Sequence, residues 1–367
     1  MKARSLVALA LVASQFAPLF TLGAQTQTVP KLNLSKPDWV AAEPFSIEPE
    51  LRVLSSGMII AADFNEMKVR LISATGKTVR QIGREGSGPS EYTAPQTLIA
   101  LPHDSTLLLD RDERRILTID PQGKIVSTRT IPNSLDASAE RLAAADNQGR
   151  VYFPFERAMV KKGDPHPSSY AIARWRRNTE TFDTVAVLSQ EVPKYVKGRV
   201  PKTEDYKKFT ELGAWRITMF APVDNWVVAP SGRVAIIYAA PYHVEWIETN
   251  KSRTIGANVS YVPVAVTDKD RKHREPKGPP YVRVYAKTKA AFEPETALLD
   301  EADNVWVRRN DVFGSANRRW DVFNSRGGFL TTLSLPDNLR PKVITARYAY
   351  VLRTDDDGLS WLERYSR

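Results

Sequence analysis

The chain contains no cysteine. That absence removes disulfides, thiol nucleophiles and thiolate metal sites together. Histidine is almost as scarce. His103, His166, His243 and His273 are the full set of four, none at the i, i+4 spacing of a helical zinc pair and none in a zinc-type pattern. No Gly-x-Ser-x-Gly elbow occurs, so an α/β-hydrolase nucleophile has no support. Gly76-Lys77-Thr78 ends like a phosphate loop, but Leu71 stands where its first glycine must be. EF-hand loops and glycine-aspartate calcium repeats are missing too. Beyond the N-terminus, no apolar run is long enough to cross a bilayer.

The N-terminus itself reads as a leader. Lys2 and Arg4 precede an apolar stretch over 6–20, and Leu22-Gly23-Ala24 offers a small-residue cleavage site before Gln25. Ser14, Gln15 and Pro18 interrupt the stretch, which is too short to span a membrane. Residues 1–24 are therefore expected to be a signal peptide cleaved after Ala24, with 25–42 an N-terminal extension and 43–367 the folded body. An exported chain without disulfides needs a large core, and 367 residues with 42% apolar content can form one. The formal net charge of +10 favours polyanionic partners. For an exported monomer, the expected partner is a protein, a glycan or an anionic envelope component, with nucleic acid set aside.

One unit recurs along the chain: strand, tight polar turn, strand, short glycine-containing turn, strand. Six copies run over 51–82, 96–131, 140–188, 223–262, 297–335 and 343–365. Turns such as Asp120-Pro121-Gln122-Gly123 and Asp146-Asn147-Gln148-Gly149 place Asp, Asn and Gly where hairpins need positive φ. Setting aside two unpatterned stretches, 189–220 and 263–291, the spacing is roughly 43 residues per unit, that of a four-stranded propeller blade. The expected fold is all-β, a six-bladed β-propeller of four-stranded antiparallel blades. The sixth unit runs out after three strands, so an N-terminal strand must close the ring, and Phe45-Ser46-Ile47-Glu48 is the candidate.

The segment Gln81-Ile82-Gly83-Arg84-Glu85-Gly86-Ser87-Gly88-Pro89-Ser90-Glu91-Tyr92 resembles the signature loop of bacterial six-bladed propellers related to NHL-repeat domains. Ser90 departs from the second glycine usual in that family's Gly-Pro-Gly-Glu. Pro241-Tyr242-His243-Val244-Glu245-Trp246 and Trp320-Asp321-Val322-Phe323 are similar to it as well. The resemblance implies a bacterial six-bladed propeller and no shared reaction; the leader places the expected location in the periplasm or outside the cell. Gly83, Gly86 and Gly88 read as tight turns, Pro89 as a stiffener, and Glu91 and Tyr92 as pins onto neighbouring blades.

Blade topology sorts the loops. Blade-to-blade segments and second-to-third strand loops leave one face; the remaining turns leave the other. Every long insertion falls in the first group, and these insertions are basic and aromatic. Long loops gathered on one face of a rigid scaffold mark a binding face. The candidate contacts are Arg84, Arg111, Arg115, Arg157, Lys194, Tyr195, Lys207, Tyr242, His243, Arg308, Arg309 and Arg318. No catalytic residue and no cofactor are predicted. Acid clusters at Asp63/Glu66, Asp110/Asp112/Glu113 and Asp355/Asp356/Asp357 make a single Ca²⁺ the one cation to test. The functional expectation is a binding or scaffolding module, with a metal-dependent hydrolase, lactonase or lyase at the channel mouth as the alternative.

The leader assignment is checked by expression in a Gram-negative host. The protein should be recovered from the periplasm beginning at Gln25; a cytosolic product retaining Met1 would refute it.

Overall fold

The computed structural model describes residues 29–133, 135, 141–155, 169–189, 194–196, 214–273, 281–294 and 296–367. Six antiparallel sheets of four strands each surround a channel. Blade 1 runs outward through Glu50–Val53, Ile59–Asp63, Lys68–Ile72 and Thr78–Gln81. Blade 2 uses Pro95–Ala100, Thr106–Asp110, Arg115–Ile119 and Ile125–Thr130. Blade 3 uses Ala144–Ala145, Val151–Phe155, Ser169–Arg176 and Thr181–Ser189. In blade 4 the strands are Asn225–Val228, Val234–Ala239, Tyr242–Ile247 and Arg253–Ile255. Blade 5 has Leu298–Leu299, Val305–Arg308, Asn317–Phe323 and Phe329–Pro336. The innermost strands touch in cyclic order, the sixth returning to the first. The ring is closed.

Burial explains the sequence pattern. The second strands Ile59–Asp63, Thr106–Asp110 and Val151–Phe155 are buried at every position, because a blade is covered on both faces by its neighbours. Such strands read as continuous apolar runs and do not alternate. Outer strands such as Thr78–Gln81 face solvent along most of their length.

Closure differs from the expectation. Blade 6 consists of Leu339–Ile344, Tyr348–Thr354, Ser360–Ser366 and, outermost, Trp39–Val40. Trp39 pairs with Arg364 and Val40 with Glu363, whereas Phe45 makes only a single bridge to Ser360. The reason is local chemistry. The Arg364 guanidinium lies 5.6 Å from the Trp39 ring and 4.2 Å from that of Tyr348, and its Nε donates to Asp38 at 3.2 Å. Ser46 is held elsewhere, by the buried Asp63 carboxylate that accepts its backbone N–H at 3.0 Å. Upstream, Leu32 and Leu34 pack on the cores of blades 5 and 6, so the extension is a strap across their outer surface.

The two insertions are not unpatterned. Lys194–Val196, Ala214–Met219 and Tyr281–Tyr285 form a separate three-stranded sheet. Its last two strands are parallel, Trp215 opposite Tyr281 and Met219 opposite Tyr285. The first insertion supplies two strands and the second one, and their parallel pairing puts both insertions on the same face of the ring. Among the described residues no helix is long and apolar enough to cross a membrane.

The turns follow one rule. Asp120, Asp146, Asp300, Asn324 and Asp355 each use Oδ1 to accept the backbone N–H groups two and four residues ahead. These are Asx-type turns, and they account for Asp355 in the last acid cluster. Its carboxyl is held below the ordinary range by the Trp361 indole N–H first and by the Leu359 and Asp357 backbone N–H groups. Gly327 carries a further constraint. Its φ is +80°, and a Cβ there would stand 2.4 Å from the Val244 carbonyl oxygen of blade 4.

Gly327→Ala should therefore lose about 2–4 kcal/mol, the left-handed backbone and the interblade clash adding together. Gly358→Ala, also at φ +80° but with nothing within 4 Å, should lose only about 1–2 kcal/mol. Equal losses in denaturant unfolding would reject the close-approach account.

Candidate functional site

The chain enters every innermost strand from a blade-to-blade segment, so the first residues of those strands stand at the loop-rich end of the channel. Glu50, Gln96, Arg141, Asn225, Thr296 and Arg340 occupy that level, one from each blade, and all line a cavity of about 740 Å³. Below them lie Lys342, Val227, Val228 and Leu299, and the walls include the indoles of Trp226 and Trp320. Among the described residues the charged groups of the lining are Arg141, Arg340, Lys342 and Glu50. Glu50 faces the Lys342 ammonium at 3.6 Å. The Trp320 indole N–H and the Gln96 Oε1 are buried and without a hydrogen-bond partner among the described residues.

Arg340 belongs to a second cavity as well, a groove of about 570 Å³ between blades 5, 6 and 1. Glu48 accepts from its guanidinium at 2.6 Å. Arg308 stands on the opposite wall, with Asp337 and Glu293 at 3.3 and 3.6 Å. Burial lowers the Arg308 pKa; Glu293 opposes this, while Arg340 and Arg318 push the same way. Arg318 shares the Asp337 carboxylate. The groove is otherwise acidic, lined by Glu48, Asp337, Asp355 and Asp356.

Of the residues picked from sequence, the structure gathers Arg308 and Arg318 at this groove and assigns several others to the framework. Arg115 is the clearest correction. Its five N–H donors reach Asp110 Oδ2 and the carbonyl oxygens of Gly86, Ser87, Gly88 and Glu91, so it moulds the signature loop and has nothing left for a ligand. Tyr242 is buried and donates to Asp321 at 3.0 Å, and Arg309 meets the same carboxylate at 3.3 Å. Together they lock blade 4 to blade 5. Burial first and then Asp321 push the Tyr242 phenol well above its ordinary pKa.

Arg84 is exposed and pairs with Glu91 at 2.6 Å. Glu91 also accepts the Gly88 N–H at 2.9 Å, and the buried Tyr92 hydroxyl receives the Val69 N–H at 3.0 Å and donates to the Ile82 carbonyl at 2.9 Å. Tyr92 thus ties the loop to blade 1, whereas the Glu91 side chain closes the loop on itself and not onto a neighbouring blade. Pro89 accepts the Thr128 hydroxyl, and Gly83 adopts φ +63° against the Ser90 carbonyl. Arg111 pairs with Asp112 at 3.3 Å and lies 5.2 Å from the Phe64 ring. His243 stacks on Tyr238 with ring centroids 4.7 Å apart and its Nδ1 meets the Pro241 carbonyl at 2.8 Å. The backbone of Lys194 and Tyr195 lies in the insertion sheet; Arg157 and Lys207 fall outside the described residues.

The second insertion is anchored by a buried ion pair. Lys289 Nζ meets Asp270 at 2.6 Å and donates to the Asp311 carbonyl at 2.7 Å. Asp270 also accepts the Thr267 N–H at 2.8 Å, holding the short helix Asp268–His273. Among the described residues, no three His, Asp or Glu side chains come together as a metal-binding set. The acid clusters are occupied by turns and arginines: Asp63 accepts from Asn65 and Glu66, and Asp110 from Thr93, Ala94 and Arg115.

No family model matches the chain, and no curated protein matches it. Solved structures do resemble it. A member of the DUF4221 family from Bacteroides vulgatus superposes with a TM-score of 0.50 at 8% identity, over 90% of this chain and 95% of that one. A streptogramin B lyase gives 0.45 at 11%, over 89% and 96%. A gluconolactonase from Xanthomonas campestris gives 0.45 at 10%, over 88% of each chain. At such identities the likeness is one of fold.

The anchor sets a pH dependence. Burial opposes ionisation of Asp270, but Lys289 and Thr267 outweigh it and lower its pKa. A carboxyl lowered in the folded state contributes stability that is complete above its unfolded value of about 3.9 and fades as pH falls through the folded value. Hydrogen exchange of 268–273 should thus rise below about pH 4 before that of the blade strands. Asp270→Asn should remove the dependence. Simultaneous loss of helix and blades would contradict the anchor.

Proposed function

We propose that this is an exported binding propeller whose contact surface is the loop-rich face, centred on the channel mouth, and whose partner is an anionic component of the cell envelope. Three features support the reading. The net charge is +10. The exposed side of the insertion helix carries Lys269, Arg271 and Lys272, with Asp268 paired to Arg271 at 3.1 Å. The observation that carries it is the channel wall, where among the described residues Arg141, Arg340 and Lys342 stand with Glu50, and Arg340 also reaches Glu48. A metal-dependent hydrolase would use the same mouth, but a lone carboxylate already facing an ammonium does not favour it.

Titration calorimetry with lipopolysaccharide and with heparin tests the face. Replacing Arg141 by Met and Lys269, Arg271 and Lys272 by Gln should weaken binding at least about tenfold, or 1.4 kcal/mol. Arg326→Gln with Arg347→Gln, in turns of the opposite face, should leave it unchanged. Binding that both sets weaken equally, or that neither alters, would reject the assignment.

A further inference from the structure

Resting on that reading, we infer that the loop-rich face carries a membrane-docking patch, built from the segment between blades 4 and 5 and the second-to-third strand loop of blade 5, and that it sits on an anionic phospholipid bilayer. Val262-Pro263-Val264-Ala265 forms the first half. Val262, Pro263 and Ala265 are exposed, Val262 at 81%, and Val264 is half-buried. The run is not a loose tail. Val259 and Tyr261 root it in the core between blades 4 and 5. The Lys289 backbone N–H donates to the Val264 carbonyl at 2.7 Å, and Ala265 bridges Thr288. Four successive apolar residues held at the surface by backbone pairing add little to the core, and such a run marks an interaction site.

Blade 5 supplies the second half. Val312 is 56% exposed, and the neighbouring Phe313 ring lies 4.9 Å from that of His273, the last residue of the helix Asp268–His273. The buried Lys289 ammonium joins the halves, because it meets Asp270 of that helix and the Asp311 carbonyl. The charges around this neighbourhood are unbalanced. Asp268 is engaged by Arg271 at 3.1 Å, Asp270 by Lys289 at 2.6 Å and Asp311 by Arg319 at 2.6 Å. Lys269, Lys272 and Lys287 are exposed, and among the described residues no carboxylate pairs with them. Lys287 stands beside the run, its carbonyl accepting the Val266 N–H at 3.0 Å.

An aliphatic run flanked by unpaired lysines matches an anionic bilayer in both respects. The valines enter the boundary between headgroups and acyl chains, while ammonium groups on long stems stay among the phosphates. A free phosphate would use the lysines and leave the valines idle, so the apolar half selects the membrane. A protein epitope calls for aromatic anchors and arginine forks. The arginine of this helix is already held, by Asp268 and by the Tyr285 ring at 5.7 Å.

Sedimentation of the full mature protein with vesicles tests the patch. Vesicles of phosphatidylcholine mixed with phosphatidylglycerol should bind it at least about tenfold more tightly than phosphatidylcholine alone, and salt should weaken that binding. Val262→Ser with Val312→Ser, which adds no charge, should lower binding at least about fivefold. Lys269→Gln, Lys272→Gln and Lys287→Gln together should lower it at least about tenfold. Val79→Ser with Val126→Ser, on outer strands of blades 1 and 2 at 52% and 54% exposure, should leave it unchanged. Thermal melting checks folding, and Val262→Gln with Val312→Gln stands in if the serine pair unfolds. Equal binding to both vesicles, indifference to the valines, or no vesicle binding by a folded protein would overturn the proposal. So would an envelope protein captured by the wild type and lost by the serine pair while vesicles stay unbound, which would assign the run to a protein. Lipopolysaccharide or heparin binding that still depends on the loop-rich face would then leave the broader reading intact.

Discussion

Each blade is a sheet with both faces covered, and a sheet of that kind has no stable form alone. Its second strand, such as Ile59–Asp63, is buried end to end, so its apolar surface is satisfied only by two flanking blades. In an open row the outermost blades would expose one face each. The ring must therefore close, and the rest of the architecture depends on how it does so. Here a two-residue strand, Trp39–Val40, supplies the edge. So short a pairing is reinforced by Arg364, which lies between Trp39 and Tyr348 and donates to the Ala74 carbonyl of blade 1 at 3.0 Å.

Arginine plays a similar part elsewhere. Arg115 fills the signature loop, Arg309 joins blade 5 to the Tyr242 hydroxyl of blade 4 through Asp321, and Arg174 meets Asp183 across blade 3 at 2.7 Å. Asp110 and Asp321 are fully buried, and a buried carboxylate is tolerated only when it is paired and hydrogen-bonded. The strongly basic composition thus contains two populations. One is built between the blades, and the other, Arg141, Arg340 and Lys342, lines the channel, Arg340 on Glu48 and Lys342 facing Glu50.

That division explains what the sequence disclosed. Blade number and register were legible because each turn carries an Asp, Asn or Gly whose backbone role is local; Asp120, Asp146 and Asn324 announce their hairpins without reference to anything distant. The closing strand was not legible, since two residues have no periodicity and Trp39 is defined by Arg364 at the other end of the chain. The channel residues were missed for a different reason. Glu50, Gln96, Asn225 and Arg340 are ordinary polar residues, each alone in its own repeat, and only a superposition of the repeats at the start of the inner strand would have put them on one ring. Selection by charge and loop length found Arg308 and Arg318 at the groove but also drew in Arg115 and Arg309, whose partners are internal.

The pairing of the two chain ends has a temporal side. Asp38 and Arg364, joined by a hydrogen bond, are 326 residues apart in the chain, and the strand Ser360–Ser366 that receives Trp39–Val40 follows all five other blades in sequence. Whatever blades form early, the circle stays open until that strand is in place. Contacts of such long separation form slowly, and an incomplete chain keeps unpaired strand edges exposed. Ring completion must therefore wait for that late strand, so the blades between the two partners can be built in any order but become a circle only in a single last step.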